Sequence, residues 1–134
     1  MKVLEITSYV GCINRCWYCP QKLLTETYQG NRFMTFEDFC KILDNVPKDV
    51  RIDFTGMSEI FGHPEGSQFI RMAFDNGFSV LLYSTLIGFT LRDAEILKGV
   101  KFADLKYHQM PNCNIEEFSR KMKIFDKIQK GEIV

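Results

Sequence analysis

Three cysteines fall within the run Gly11-Cys12-Ile13-Asn14-Arg15-Cys16-Trp17-Tyr18-Cys19-Pro20. Thiolates are soft ligands, suited to zinc or iron-sulfur clusters rather than to hard cations. Spaced C-x3-C-x2-C on one loop, three thiolates can reach three corners of an iron-sulfur cube, whereas a complete all-cysteine 4Fe-4S site needs four. The absent fourth ligand leaves one iron open to a small molecule. Of the two remaining cysteines, Cys40 sits on the apolar face of an expected helix and reads as a buried core thiol. Cys113 follows Pro111-Asn112 in a loop, and its role stays open between an incidental and a functional thiol.

Two other chemistries suit parts of this pattern. Cysteines two residues apart often hold zinc, but a structural zinc site wants four ligands, and only His63, His108 or a remote cysteine is on offer. Cys16-Trp17-Tyr18-Cys19 after a strand also resembles the glutaredoxin arrangement, in which the first thiolate attacks a disulfide. That reading gives Cys12 no role. It also needs an amphipathic helix in the segment from Pro20 to Met34, where none is expected.

The elements that position the cysteines alternate between strand and helix. A strand over Lys2 to Ser8 runs straight into the cysteine loop. Thr35 and Asp38 form a capping-box pattern, and Phe36, Phe39, Cys40 and Leu43 recur behind them at helical spacing. The second strand is Val50 to Phe54; Pro64 and Glu65 then open a helix carrying Phe69, Ile70 and Ala73, stopped by Asn76-Gly77. The third, Phe78 to Tyr83, is a nearly continuous apolar run of the kind expected for a strand covered by helices on both faces. Thr90 and Asp93 repeat the capping pattern before a short helix ending at Gly99. Phe102 to Tyr107 is the fourth strand. Asn114 and Glu117 start a last helix with Ile115, Phe118, Met122 and Phe125 on one side, closed by Gly131. Strands and helices alternating in this way argue for βαβ units and a parallel sheet, an α/β fold.

Ligands of parallel α/β folds bind beyond the carboxyl ends of the strands. Here those ends carry the cysteine loop, Thr55 to Glu59, Ser84-Thr85 and His108-Gln109, all polar. His63, just before the helix-opening Pro64, reads as structural. His108 reads equally as a hydrogen-bonded loop residue and as a proton donor near a substrate.

The cysteine run resembles the radical SAM superfamily, whose hallmark is C-x3-C-x-aromatic-C after the first strand; Tyr18 supplies the aromatic. Phe54-Thr55-Gly56-Met57-Ser58-Glu59 is similar to the glycine-rich, glutamate-ended segment after that family's second strand. Met57 and Ser58 replace a shorter Gly-Gly-Glu, and Ile60 stands where proline is frequent. The resemblance implies that Cys12, Cys16 and Cys19 hold a 4Fe-4S cluster whose fourth iron is chelated by S-adenosylmethionine. It further implies that reductive cleavage yields a 5'-deoxyadenosyl radical that takes a hydrogen atom from a substrate. Gly56 and Glu59 would then seat the cofactor's amino group, Tyr18 would lie beside its adenine, and Ser84 and Thr85 would reach its ribose or carboxylate.

The family's core generally uses about six βα units, and four are legible here, so the resemblance implies a partial (β/α) barrel over residues 1–134, truncated relative to that core. Such a sheet ends in an exposed parallel edge, normally covered. Either the chain is a fragment, or a second copy of it or another chain completes the sheet. An external electron donor and a small-molecule or peptide substrate are the other expected partners. A non-catalytic cluster-binding fragment is the alternative within the same fold.

The totals set the bounds. A chain of 134 residues is long enough for one core and short for two. Its 46% apolar and 25% charged residues are the mix of a globular protein. Seventeen basic residues balance seventeen acidic ones, so no net field gathers nucleic acid or anionic lipid. The longest uncharged stretch, Phe78 to Leu91, is broken by Ser79, Ser84, Thr85 and Gly88 and is too short to span a bilayer. No export signal is legible at the start. An odd number of cysteines, three of them clustered, suits a metal site in a reducing compartment, and a cytoplasmic location is expected.

Overall fold

The computed structural model describes residues 1–14, 16 and 18–131. Glu132, Ile133 and Val134 lie outside the described residues. Four strands, β1 (Lys2–Glu5), β2 (Val50–Phe54), β3 (Val80–Ser84) and β4 (Asp104–Tyr107), pair in parallel in the order β1-β2-β3-β4. The helices are α1 (Gln21–Thr27), α2 (Phe36–Asp44), α3 (Gly66–Asp75), α4 (Leu91–Ile96) and α5 (Ile115–Gln129), with a 3-10 turn at Ile60–Gly62. Neighbouring parallel strands joined by right-handed crossovers put all their helices on the same side of the sheet. In agreement, α2 packs on α3, α3 on α4 and α4 on α5. The result is an α/β arrangement of four βα units, an arc of a barrel.

Helix starts follow the capping patterns. The Thr35 hydroxyl accepts from Asp38 N at 3.0 Å, the Asn114 side chain accepts from Glu117 N at 3.1 Å, and Thr90 and Asp93 close a reciprocal capping box. Between helices and sheet lies one aromatic-rich core. Phe39 stacks on Phe69 with centroids 4.6 Å apart, and Phe125 meets Phe61 and Phe89. Ile52, Phe54, Val80 and Leu82 join this core from the sheet.

Several expectations need correction. β3 is not sandwiched between helix layers: Leu81 is 4% exposed yet stands outside the helix-side core, on the opposite face, with Asp53 and Asp104 as its register neighbours. That inner face is polar, and on it Arg51 holds Asp53 through Nε at 2.6 Å and Nη2 at 2.8 Å. β1 ends at Glu5 because the chain then turns from β2 to a new partner: Val10 N donates to Arg32 O and Met34 N to Ser8 O, each at 2.8 Å. Ile115 is 62% exposed, since the first turn of α5 projects past the core that buries Phe118 and Phe125. Cys40 is half-buried and outside the core, whereas Cys113 packs against it. Finally, a helix does form between Pro20 and Met34: α1 begins two residues after Cys19. It has no side-chain cap, and Gln21 is its buried residue.

Candidate functional site

The carboxyl ends of all four strands open into one cleft of about 290 Å³. Cys12, Cys16 and Cys19 line it, with Tyr18 from the same loop, Thr55 to Glu59 from beyond β2, Tyr83 and Thr85 from the end of β3, and His108 from beyond β4. The three cysteines are free thiols, none of them fully exposed. Among the described residues no three His, Cys, Asp or Glu side chains converge on a single-ion position. A cube distributes its thiolate ligands over separate irons, one each, and asks for a shared cavity rather than a shared atom.

Glu59 is the centre of the hydrogen bonding. It is 3% exposed, at the start of the 3-10 turn, and its carboxylate is clamped from β3. The Ser84 hydroxyl donates to Oε1 at 2.6 Å, while Thr85 gives Oε2 its backbone N–H at 2.7 Å and its hydroxyl at 2.8 Å. Phe61 N lies 3.5 Å from Oε1. Burial pushes the Glu59 carboxyl above its ordinary range, and these donors pull it partly back. A carboxylate offers about four acceptor positions; three hold short bonds, and the fourth, on Oε1, holds only the long contact from Phe61 N, which a stronger donor on a ligand would displace. Ser84 is wholly buried, and its oxygen also accepts Leu86 N at 2.9 Å, so its contact with the cleft runs through Glu59. Thr85 reaches the cleft directly, with Asn14 Oδ1 3.1 Å from its hydroxyl.

The cysteine loop is tied to the Gly56 loop behind it. Glu59 N donates to Cys12 Sγ at 3.3 Å. Burial raises the Cys12 thiol, while N–H donors from Asn14 and Glu59 act in the opposite direction and favour the thiolate. Gly56 has φ of +28° and lies against the backbone of Ile6 and the Thr7 side chain; a Cβ there would collide with both. Met57 N donates to Thr7 Oγ1 at 2.9 Å, which locks the loop over the end of β1.

The β4–α5 connection closes the other side. Met110 Sδ stands 3.9 Å from Cys16 Sγ. The Tyr18 ring lies parallel to that of His108, with its hydroxyl 3.4 Å from Nε2, and Tyr83 Oη is 2.8 Å from Nδ1. Hydrogen bonding to Cys16 raises the Tyr18 phenol above its ordinary range. His63, read as structural, is buried away from the cleft: Nε2 donates to Met34 O at 2.8 Å and Nδ1 accepts from Glu65 N at 2.9 Å.

Thus the cysteines, Tyr18, Gly56, Glu59 and Thr85 meet in one cavity, and Ser84 stands directly behind it. Sequence reading missed Tyr83, Asn14 and Gln21. Tyr83 was in reach through strand parity, because it falls on the face opposite Leu82. Gln21 and Asn14 carry no such periodic signal.

One observation bears on whether the donor set fits a bound group. The Ser58 hydroxyl is shielded from solvent, belongs to the cleft lining and has no hydrogen-bond partner among the described residues. A buried polar atom without a partner is costly, and a ligand's polar edge would satisfy it. Three free thiols, one weakly held carboxylate position and an orphaned hydroxyl around one cavity fit a cluster together with a polar ligand.

No family model matches the chain, and no curated protein matches it in sequence. Among solved structures it resembles the crystal structure of BtrN in complex with AdoMet and 2-DOIA, with a TM-score of 0.69 at 13% identity, over 98% of this chain and 55% of that one. The chain therefore spans about half the length of BtrN. At this identity the likeness shows a shared fold, in which parallel βα units curve into part of a barrel.

Proposed function

We propose that residues 1–134 form a partial radical SAM core, in which Cys12, Cys16 and Cys19 hold a 4Fe-4S cluster that leaves one iron for S-adenosylmethionine. The observation that carries this reading is the meeting of three free thiols and the Glu59 carboxylate in one cleft. The fold likeness to a structure holding AdoMet supports it. When bound and reduced, the cluster and S-adenosylmethionine supply a 5'-deoxyadenosyl radical able to take a hydrogen atom from a substrate.

The chain's own residues do the rest. Glu59 takes the cofactor's ammonium on Oε1 in place of the long contact from Phe61 N, a charge-assisted bond. Ser84 and Thr85 hold that carboxylate in place and offset the cost of its burial, and Thr85 also presents its edge to the cofactor. Tyr18 lies beside the adenine. Gly56 lets the loop sit low enough for Ser58 and Glu59 to face the cleft. The substrate is a small molecule or peptide, and an external donor delivers the electron.

A dithiol oxidoreductase is the second reading, and α1 after Cys19 favours it more than the sequence did. It still leaves Cys12 idle, although Cys12 shares the cleft and accepts the Glu59 amide.

The deciding experiment is anaerobic reconstitution with iron and sulfide, followed by electron paramagnetic resonance of the reduced protein with and without S-adenosylmethionine. A cluster signal that changes on adding S-adenosylmethionine, with release of 5'-deoxyadenosine, supports the reading. A signal indifferent to it leaves a plain cluster carrier. Cys16→Ala abolishes cluster assembly, and full iron content in that variant removes the assignment.

A further inference from the structure

Gln21 is the first residue of α1, and its side chain turns back under the cysteine loop, where it is 8% exposed. Its Oε1 accepts Gly11 N at 3.3 Å and Cys12 N at 3.2 Å. Its Nε2 donates to the backbone carbonyl of Met57, in the loop that ends at Glu59. One amide therefore joins the first cysteine to the segment between Gly56 and Glu59. The two loops touch again where Glu59 N donates to Cys12 Sγ.

This pattern suits an amide better than other side chains. The cysteine loop offers two N–H donors and the Gly56 loop one carbonyl, so the bridge must accept at one end and donate at the other. Glutamate would keep the first pair and lose the second; leucine would leave three partly buried backbone groups without this partner.

We propose that Gln21 is a positioning residue that couples the cysteine loop to the Glu59 loop, so that the placing of the cluster fixes the height of Glu59 for the cofactor's ammonium. Gln21 is not part of the lining of the cleft that holds Glu59; it acts on that cleft through Cys12 and Met57. The inference rests on the radical SAM reading above and adds a residue outside both motifs that carry that reading. It makes S-adenosylmethionine affinity, rather than cluster uptake, the property Gln21 controls. The three cysteines remain to bind iron without it, whereas Glu59 loses its link to them through Met57.

The test uses the full chain, reconstituted anaerobically, as wild type, Gln21→Leu and Gln21→Glu. Iron and sulfide content are measured first, and S-adenosylmethionine is then titrated against the resonance signal of the reduced cluster. Gln21→Leu is expected to keep wild-type iron and bind S-adenosylmethionine about tenfold more weakly, the size of one buried hydrogen bond. Gln21→Glu keeps the bonds to Gly11 and Cys12 but loses the one to Met57, so it is expected to hold full iron and bind S-adenosylmethionine as weakly as Gln21→Leu. Equal affinity in all three proteins at full iron content overturns the proposal. So does loss of iron in both variants, which would make Gln21 a support of the cysteine loop alone. A wild-type chain that takes up no cluster sinks the underlying reading and this inference with it. A wild type that responds to S-adenosylmethionine beside a Gln21→Leu that responds equally sinks only the role of Gln21.

Discussion

The backbone amide of Glu59 donates to the sulfur of Cys12 across 3.3 Å, so one residue presents its main chain to the cysteine loop and its carboxylate to the end of β3. The cleft is thus a closed circuit of polar contacts. Cys12 leads to Glu59, Glu59 to Ser84 and Thr85, and Thr85 to Asn14 in the cysteine loop again. A circuit of this kind resists small displacements, because moving one loop breaks bonds in the other two.

Ser84→Ala opens the circuit at its most buried point. It leaves Leu86 N–H unpaired and Glu59 Oε1 with only the long contact from Phe61 N. Loss of about 1–3 kcal/mol of stability is expected, the cost of stranding buried polar groups. The Glu59 carboxyl also rises further, since a bond that favoured its charged form is gone. Urea unfolding checks the first effect. An unchanged midpoint would show that the hydroxyl does not clamp the carboxylate.

How much of this was legible follows from what each feature rests on. Four parallel strands and the three capped helices could be read because Thr35-Asp38, Thr90-Asp93 and Asn114-Glu117 are local signals that bond as they read. The gathering of strand ends followed from the general rule for parallel sheets. α1 was missed because Gln21 to Thr27 has no helical apolar stripe: Leu23 faces solvent, and a glutamine takes the buried place. The second face of β3 was misread because an apolar run does not reveal what covers it, and Leu81 turned out to lie among charged register neighbours. Gln21 itself was invisible, since its value depends on meeting both the cysteine loop and Met57, 36 residues further along the chain.

His63 makes stability depend on pH. Burial holds its folded pKa below the ordinary 6.5, and both ring nitrogens are committed, Nε2–H to Met34 O and Nδ1 to the incoming Glu65 N–H. Protonation would place a second hydrogen against that N–H. The unfolded chain therefore binds the proton first. Stability is fully present above the unfolded value and is lost as pH falls through it toward the lower folded one. Urea midpoints measured at about pH 7.5 and about pH 5 should drop more in wild type than in His63→Gln. Equal drops in the two proteins would assign the acid sensitivity to other groups.

Two residues on the same apolar stripe of α5 should respond very differently to truncation. Phe125 is fully buried against Phe61, Phe89, Phe102 and Tyr107. Its replacement by alanine is expected to cost about 3–5 kcal/mol. Ile115 stands in the first, exposed turn, and Ile115→Ala should stay within about 0.5 kcal/mol. Denaturant unfolding of the pair separates them. A large loss at Ile115 would mean that this turn is covered in solution, for instance by a second chain.

Lys121 presents a different case, a buried cation spent on backbone. Its Nζ donates to Leu86 O at 2.9 Å and pairs with Glu117 at 3.2 Å. Leu86 has φ of 62°, a left-handed conformation that costs a non-glycine residue about 1–2 kcal/mol, and it directly follows Thr85. The turn is held by its neighbours: Leu86 is buried, Ser84 accepts its amide and Lys121 takes its carbonyl. Lys121→Met keeps most of the stem's packing and removes the charged donor. It should lower stability by about 1–3 kcal/mol and speed hydrogen exchange at the amides of Leu86 and Ile87. Leu86→Gly relieves the backbone but empties a core position, and should still destabilise by about 2–4 kcal/mol. Under the proposed function, the strained turn sets where Thr85 meets Glu59, so Lys121→Met should also weaken S-adenosylmethionine binding although Lys121 lies outside the cleft lining. Wild-type exchange rates and affinity in that variant would mean that the turn keeps its shape without the lysine.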